Sequence, residues 1–502
     1  MSTLNKKWHH GMFYTEDWWS AWLGLFFFSL GLLSIWGLDA VGWIAKPKTW
    51  EFTTLMQDFS WSKLIKTSSK EYKTLHPLVA LAITYIVFLS LTTIGAYFQK
   101  KDVKRWLIGF TAIFTITWLA WIIGHEAHFS AVDAVVKGKN KYELFDLSWG
   151  LQLGGGFSFM LALTIGLVIG NFFKGFAEKI KEAAKPEWFI KTAIVLLGIK
   201  LGMMTMKASG FTYELALAGA AAAFVAYLLF WPIIYYIGRR FFGLNRASAA
   251  VLSSGISICG VSASIATAGA VKAKPIIPIA VSTLIIVFAM FELVILPPTY
   301  AKLAPEQPIV NGAAMGMTVK TDGADAAAGA ILDEMMVSNH LKKTGEKWEE
   351  GWILSASILT KIWIDIFIGI WSFVLAIIWI RNDKKNKSER KEKIPWSEIW
   401  FRFPKFILAY MLVWVIYLLM QSFLPEIVDS AKIGGNITQG TFRKFLFMLT
   451  FLSIGIITDF SKLKGMGRLA LLYALALFVF IAPLAYLVAY IFHHGMMPPI
   501  LS

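Results

Sequence analysis

A single cysteine, Cys259, stands in 502 residues, which excludes an intrachain disulfide framework and any multi-cysteine metal site. No Walker sequence occurs and Gly154-Gly155-Gly156 forms no nucleotide motif, so direct use of ATP is not expected. No nucleophile–base pair or metal set is visible either, which argues against an enzyme and implies no cofactor. His125-Glu126-Ala127-His128 places two histidines three apart at a span end, without a third ligand nearby in sequence. The first seventeen residues carry Lys6, Lys7, His9, His10, Glu16 and Asp17 but no apolar run, so no cleaved signal peptide is expected.

Charge is scarce as well, at 16% of residues, while 57% are hydrophobic and 15% aromatic. With mean hydropathy +0.60, the chain falls among polytopic membrane proteins. Many of the 22 tryptophans lie near span ends, as an interfacial belt requires. The net charge of +16 sits in short loops between apolar runs. That pattern attracts an anionic leaflet and sets topology, and it leaves no basic soluble domain to hold a nucleic acid.

Apolar runs long enough to span a bilayer as helices occur at about 18–38, 77–98, 105–123, 149–171, 188–206, 212–238, 247–271, 276–298, 311–336, 351–380, 403–423, 442–460 and 467–492. These predict an all-α protein of about 13 transmembrane helices. An N-terminal bundle of three occupies 1–148, and a ten-helix core of 149–502 carries a linker at 381–402. Pro395, Trp396 and Trp400 suggest a short interfacial helix in that linker. Five basic loops fall on one side when the N-terminus is cytoplasmic, which orients the chain in an inner membrane. Residues 39–76 disagree, because they would be external yet carry Lys46, Lys48, Lys63, Lys66, Lys70 and Lys73. A faint repeat relates Leu197–Leu201 to Leu452–Ile456 in spans of opposite orientation, as an inverted repeat requires.

Two segments break the lipid-facing pattern. In Ser253–Gly269, thirteen of seventeen residues are Gly, Ala, Ser, Thr or Cys. Such a stretch allows close backbone approach and a broken helix, whose freed amides suit an anion. Ser257, Cys259, Gly260 and Ser262 are the candidate donors. The second island, Gly312–Gly329, holds Thr318, Lys320, Asp322 and Asp325. Each charge at a helix centre costs about 2.5–3.5 kcal/mol unless it faces a cavity or a partner. Lys361 and Asp365 lie i,i+4 in span 351–380, where they share one face. Glu292 is a candidate buried coupling carboxylate, whereas Asp459 is expected to meet water.

The block Ser254-Gly255-Ile256-Ser257-Ile258-Cys259-Gly260-Val261-Ser262-Ala263 resembles the S-I-C-G-x-S/A-A signature of the YeiH-like sulfate exporter family. Gly316 through Gly329 matches the spacing of that family's G-x-T-x-H-E-x-x-Q-V-V-A-A-G block, Lys361 falls on its K-x-x-R lysine, and Leu452–Asp459 is similar to its late A-L-G-L-T-T motif. The resemblance covers about 149–492. It implies an inner-membrane transporter of the sodium–proton antiporter and bile-acid symporter type, with two broken helices crossing at the midplane. The family's H-E-x-x-Q positions are here Lys320, Thr321 and Ala324, its second basic residue is Ile364, and Asp322 and Asp325 are added.

The leading expectation is a secondary transporter exporting a small sulfate- or sulfite-like anion. Ser257, Cys259, Gly260, Ser262, Thr318, Lys320 and Lys361 would bind the anion, and Asp322, Asp325 and Glu292 would couple it to protons or sodium. A cation–proton antiporter or sodium-coupled organic-anion symporter of the same fold remains open. So does a non-transporting sensor or scaffold, and a homodimer is compatible with each. The loop count orients 247–271 and 311–336 alike, although inverted broken helices should run oppositely.

Overall fold

The computed structural model describes residues 11–131, 135–136, 139–151, 156–207, 209–258, 260–271, 273–274, 276–382, 404–463 and 467–500. The linker 383–403, with its expected interfacial helix, lies outside them. The described chain is an all-α polytopic membrane protein. Its β structure consists of two small ribbons, β1 (Ala45–Pro47) with β2 (Ile65–Thr67), and β3 (Val135–Val136) with β4 (Lys139–Asn140).

The N-terminal passes are α1 (Glu16–Leu32, extended by a 3-10 turn to Trp36), α2 (Pro77–Phe98) and α3 (Val103–Ile123). Next come α4 (Gly156–Phe172), α5 (Pro186–Lys207) and α6 (Ser209–Arg240). A first broken pair, α7 (Arg246–Ser257) and α8 (Gly260–Ala270), leads to α9 (Ile276–Leu303). A second, α10 (Pro308–Thr318) and α11 (Asp322–Thr344), leads to α12 (Trp352–Asn382). The chain ends with α13 (Lys405–Phe423), α14 (Pro425–Ile437), α15 (Arg443–Ile457), α16 (Gly467–Ala474) and α17 (Ala482–His493).

Among the described residues, seven helices are long and apolar enough to cross a membrane, or eight if α4 is counted with the short helix Lys174–Ile180, which bends from it by 113°. In this count α14 and α15 form one pass, and so do α16 and α17, each pair joined through a π-turn. Helices α5, α9 and α12 are as long and run through the same bundle, and counted with those eight they give eleven passes among the described residues.

The remaining two predicted spans do not cross. At the second break the chain reverses: Glu306, before α10, pairs with Lys343, near the end of α11, at 2.6 Å. Further in, Asn311 Nδ2 donates to Met336 Sδ at 3.4 Å. A continuous helix would separate Glu306 from Lys343 by about 55 Å at ~1.5 Å per residue. The first pair reverses too. A Cβ on Gly255 would lie 2.4 Å from Ser264 Oγ, whereas nine residues of helix span about 13.5 Å. Both segments are re-entrant helical hairpins, which corrects the expected crossings at 247–271 and 311–336. One pass, α9, separates them, so they enter from opposite faces, and the orientation conflict disappears.

Contacts at helix ends sort the loops onto two faces. Lys174 pairs with Asp459 at 3.4 Å and Lys191 with Asp17 at 3.6 Å on one face. On the other, His494 meets Gln307 at 3.3 Å, Lys200 meets Glu349 at 3.0 Å, and Glu349 N donates to Pro499 O at 2.7 Å. Among the described residues the first face collects the basic helix ends and loops at 100–105, 174–185 and 239–246, and the reversal of α7–α8 adds Lys274 to it. It is called the basic face below, and its opposite the far face. Hydrogen bonding at Asp459 to Ser461 holds its carboxyl below the usual range, as expected of an ionised group at a wet face.

A further correction concerns 442–460, which is only the second half of a 33-residue pass, Pro425–Ile457. Its first half, Pro425–Ile437, carries polar and small residues that read as a loop. It is helical because it packs on α1: a Cβ on Gly434 would lie 2.0 Å from Gly31 O, so only paired glycines permit this crossing. Phe27, Phe88 and Phe442 stack within 5.9 Å of one another, and Phe445 lies 4.9 Å from Phe88. The N-terminal helices thus share their core with the later passes.

Candidate functional site

Reversal of an α-helix at bilayer depth frees backbone groups that no lipid can satisfy. At the first tip Ile258 leaves helical geometry (φ −112°, ψ −101°); at the second, Val319 is extended (φ −74°, ψ 131°). The two freed carbonyls face one side chain. Lys361 Nζ, from α12, donates to Ile258 O at 2.9 Å and to Val319 O at 3.3 Å. Hydrogen bonds to a charged group are worth about 1.5–3 kcal/mol each, so two of them match the cost of about 2.5–3.5 kcal/mol for placing a lysine at that depth. Lys361 therefore ties the two tips together.

The freed amide at the second tip is met from α9. Lys320 N–H donates to Glu292 Oε2 at 3.1 Å, and Tyr473 OH donates to Glu292 Oε1 at 3.2 Å. Lys320 Nζ donates to Met317 O and lies 5.7 Å from the centre of the Phe230 ring. Asp325 Oδ1 accepts from Ser357 Oγ at 2.7 Å, and the hydroxyls of Thr318 and Tyr300 bond at 3.2 Å. Glu292, Lys320, Asp325, Lys361 and Asp365 are all at most 2% exposed, so the site is closed in this conformation.

Helix α12 reaches the tip because α10 lies directly on it. A Cβ on Gly316 would fall 2.2 Å from Ser357 O, and the same approach carries Lys361 to Val319 one turn later. Asp333, on α11, accepts from the backbone N–H of Gly351, Ile353 and Leu354 and so caps the start of α12. The rigid unit is therefore the second hairpin together with α12.

The tips also carry helix polarity. Helices α7 and α10 end there and present carbonyls, which Lys361 neutralises; α8 and α11 begin there and turn positive dipole ends to the same place. Ser257 Oγ, at the end of α7, is buried without a hydrogen-bond partner among the described residues. The structure thus brings together Ser257, Gly260, Thr318, Lys320, Lys361, Asp325 and Glu292. Cys259 and the side chains of Ser262 and Asp322 lie outside the described residues.

Sequence reasoning missed Tyr473, Ser357, Phe230 and Tyr300, whose residue types are ordinary in apolar spans. It also missed Glu51, which comes within 4.8 Å of Glu126 and His128 and completes a metal-type trio. These groups already serve as caps. Glu51 Oε atoms accept from the N–H of Thr53 and Thr54 at 2.8 and 2.7 Å, and Glu126 accepts from His128 N and Nδ1 at 2.9 Å.

The family described as "Conserved hypothetical protein 698" matches residues 156–474, which includes both hairpins. A UPF0324 membrane protein of Nitrosomonas europaea is 56% identical over the whole of both chains, so the similarity extends through the N-terminal passes. A UPF0324 membrane protein of Rhodopirellula baltica is 30% identical over 76% of this chain and 61% of its own length. An uncharacterized protein of Archaeoglobus fulgidus is 39% identical over 29% of this chain and 87% of its own. No solved structure matches. The profile across the hairpin core and the full-length relative lead to one conclusion: this chain belongs to the Conserved hypothetical protein 698 family of UPF0324 membrane proteins.

Proposed function

We propose that the protein is a secondary transporter of a small oxyanion, sulfate- or sulfite-like, bound between the two hairpin tips. The observation that carries this reading is the meeting of two oppositely entering hairpins at Lys361, beside a second buried lysine. Irregular backbone and ionisable side chains at membrane depth serve substrate pathways. Ser257, Cys259, Gly260, Ser262, Thr318 and Lys320 form the anion's shell, with Lys361 as the shared cation. Glu292, Asp325 and Asp322 carry the coupling.

Protons suit that coupling better than sodium. In broken-helix transporters, freed carbonyls commonly hold the coupling sodium; here the tethered ammonium of Lys361 occupies two of them. The basic face is cytoplasmic in this reading, because Lys and Arg concentrate there, and the membrane is the inner one. Export as the direction rests on the sulfate-exporter resemblance.

The test is thermal stability of the purified protein at fixed ionic strength with sulfate, sulfite, thiosulfate, bicarbonate, sodium or lithium, beside Lys320→Ala. A ligand at 100 times its Kd stabilises the native state by about 2.7 kcal/mol. One sulfur oxyanion should raise Tm in the parent protein and not in Lys320→Ala. Stabilisation by sodium alone would instead support the cation-coupled alternative and overturn this reading.

A further inference from the structure

Strand β1 pairs antiparallel with β2, and the register sets Lys46 directly opposite Lys66. Like charges facing across a strand pair are destabilising, yet neither ammonium group has an acidic partner or hydrogen bond among the described residues. The same two residues line a cavity of about 590 Å³ on the far face, together with Lys48, Lys63, Lys141 and Glu51. The segment between α1 and α2, which holds the ribbon, and Lys141 from the segment between α3 and α4 thus converge five ammonium groups on one concavity.

The neighbouring carboxylates offset them only in part. Lys63 is drawn aside by Asp58 at 2.9 Å. Burial works against ionisation of Glu51, but hydrogen bonds from Thr53 and Thr54 outweigh it and hold its carboxyl at about 2. That carboxylate also caps the helix Phe52–Gln57 and leaves the lining with one negative charge against five positive ones. Lys48 and Lys141 are anchored rather than neutralised, through Ser62 O at 2.9 Å and Thr49 Oγ1 at 2.8 Å. Burial, then Lys66 and Lys444, lowers the pKa of Lys46; burial, then Lys347 and Lys66, lowers that of Lys141. A concave wall that carries five ammonium groups against one carboxylate keeps an excess of positive charge, and its field is focused on a counter-ion.

We infer that the cavity between the β1–β2 ribbon and Lys141 is a binding site for a multiply charged oxyanion of the sulfate or phosphate type. This site also explains why segment 39–76 breaks the topology rule: its lysines bind a ligand instead of orienting the chain. The ion has two possible sources with the same chemistry, a free oxyanion in solution or the phosphate of an anionic lipid headgroup. The site is separate from the hairpin tips, and its test does not depend on transport.

The experiment is acetylation footprinting of the full chain by an amine-reactive reagent, with rates at each lysine read by mass spectrometry. Sulfate or inorganic phosphate is compared with chloride at equal ionic strength in phosphatidylcholine nanodiscs, and phosphatidylglycerol nanodiscs are tested without added oxyanion. At ten times Kd, occupancy should slow reaction at Lys46 and Lys66 about tenfold, while Lys70 and Lys73 keep their rates. Protection by the soluble ions identifies a free oxyanion; protection only with phosphatidylglycerol identifies the headgroup. Lys46→Gln/Lys66→Gln should abolish protection at Lys141. No protection in any arm, equal slowing at Lys70 and Lys73, or retained protection of Lys141 in that variant would overturn the assignment.

Discussion

In the proposed transporter, Lys361→Met is expected to cut transport strongly while changing the stability of the fold comparatively little. The methionine keeps most of the stem volume and removes the ammonium that binds Ile258 O and Val319 O. Two buried carbonyls then lose their donor, at about 1–3 kcal/mol each. Against this, the desolvation penalty of a buried ammonium, itself several kcal/mol (about that size or more), disappears. The two effects largely cancel in Tm, but they do not cancel at the tips, which lose the hydrogen bonds that join them through Lys361. Hydrogen–deuterium exchange should therefore rise in peptides covering 254–262 and 316–324 and stay unchanged in α13. Uptake by proteoliposomes should fall on the order of 100-fold, the equivalent of about 3 kcal/mol. Unchanged uptake would remove Lys361 from the mechanism.

In the proposed transporter, Glu292→Gln is expected to separate coupling from binding. The amide can reproduce both contacts of the carboxylate, its Oε1 accepting from Lys320 N–H and its Nε2 donating to the Tyr473 hydroxyl. Packing and the second tip therefore remain intact, and only the exchangeable proton and the charge are lost. Substrate–substrate exchange should stay within about threefold of the parent, whereas uptake driven by a pH gradient should fall by about tenfold or more, because proton transfer needs a titratable group. Parallel measurement of both modes checks this. Equal loss of exchange and driven uptake would make Glu292 a structural cap of the Lys320 amide.

Membrane class and most helix positions were legible in the sequence, because a 20-residue apolar run at 1.5 Å per residue has few other uses. Direction within a segment was less legible. The stretches 247–271 and 311–336 have the length of a crossing helix, and nothing local distinguishes a helix that continues from one that folds back. A signal did exist in Lys274, which joins the other basic loops only if α7–α8 returns to the face it left. The helical run Pro425–Ile437 was hidden for a different reason: its glycines suit a close crossing with α1 rather than contact with lipid. At the site, Glu292, Lys320, Asp325 and Lys361 stood out because a charge at depth is costly. Tyr473, Ser357 and Phe230 did not, since their role comes from which helices meet, which is a long-range property. The lysines of 39–76 showed as an anomaly in the topology, and the register of β1 and β2 turned them into one cavity.

The opposed hairpins underlie the proposed transport site, and cross-linking of the second one tests them directly. Glu306→Cys and Lys343→Cys, introduced together in a Cys259→Ser background, replace an exposed pair now 2.6 Å apart. In native membranes a short bismaleimide should join them within one chain, giving one cross-linked peptide pair by mass spectrometry. A crossing helix would hold the two positions about 55 Å apart, beyond the reach of any such reagent. Absence of that cross-link, with the two thiols labelled from opposite faces of the membrane, would contradict the hairpin and the site built on its tip.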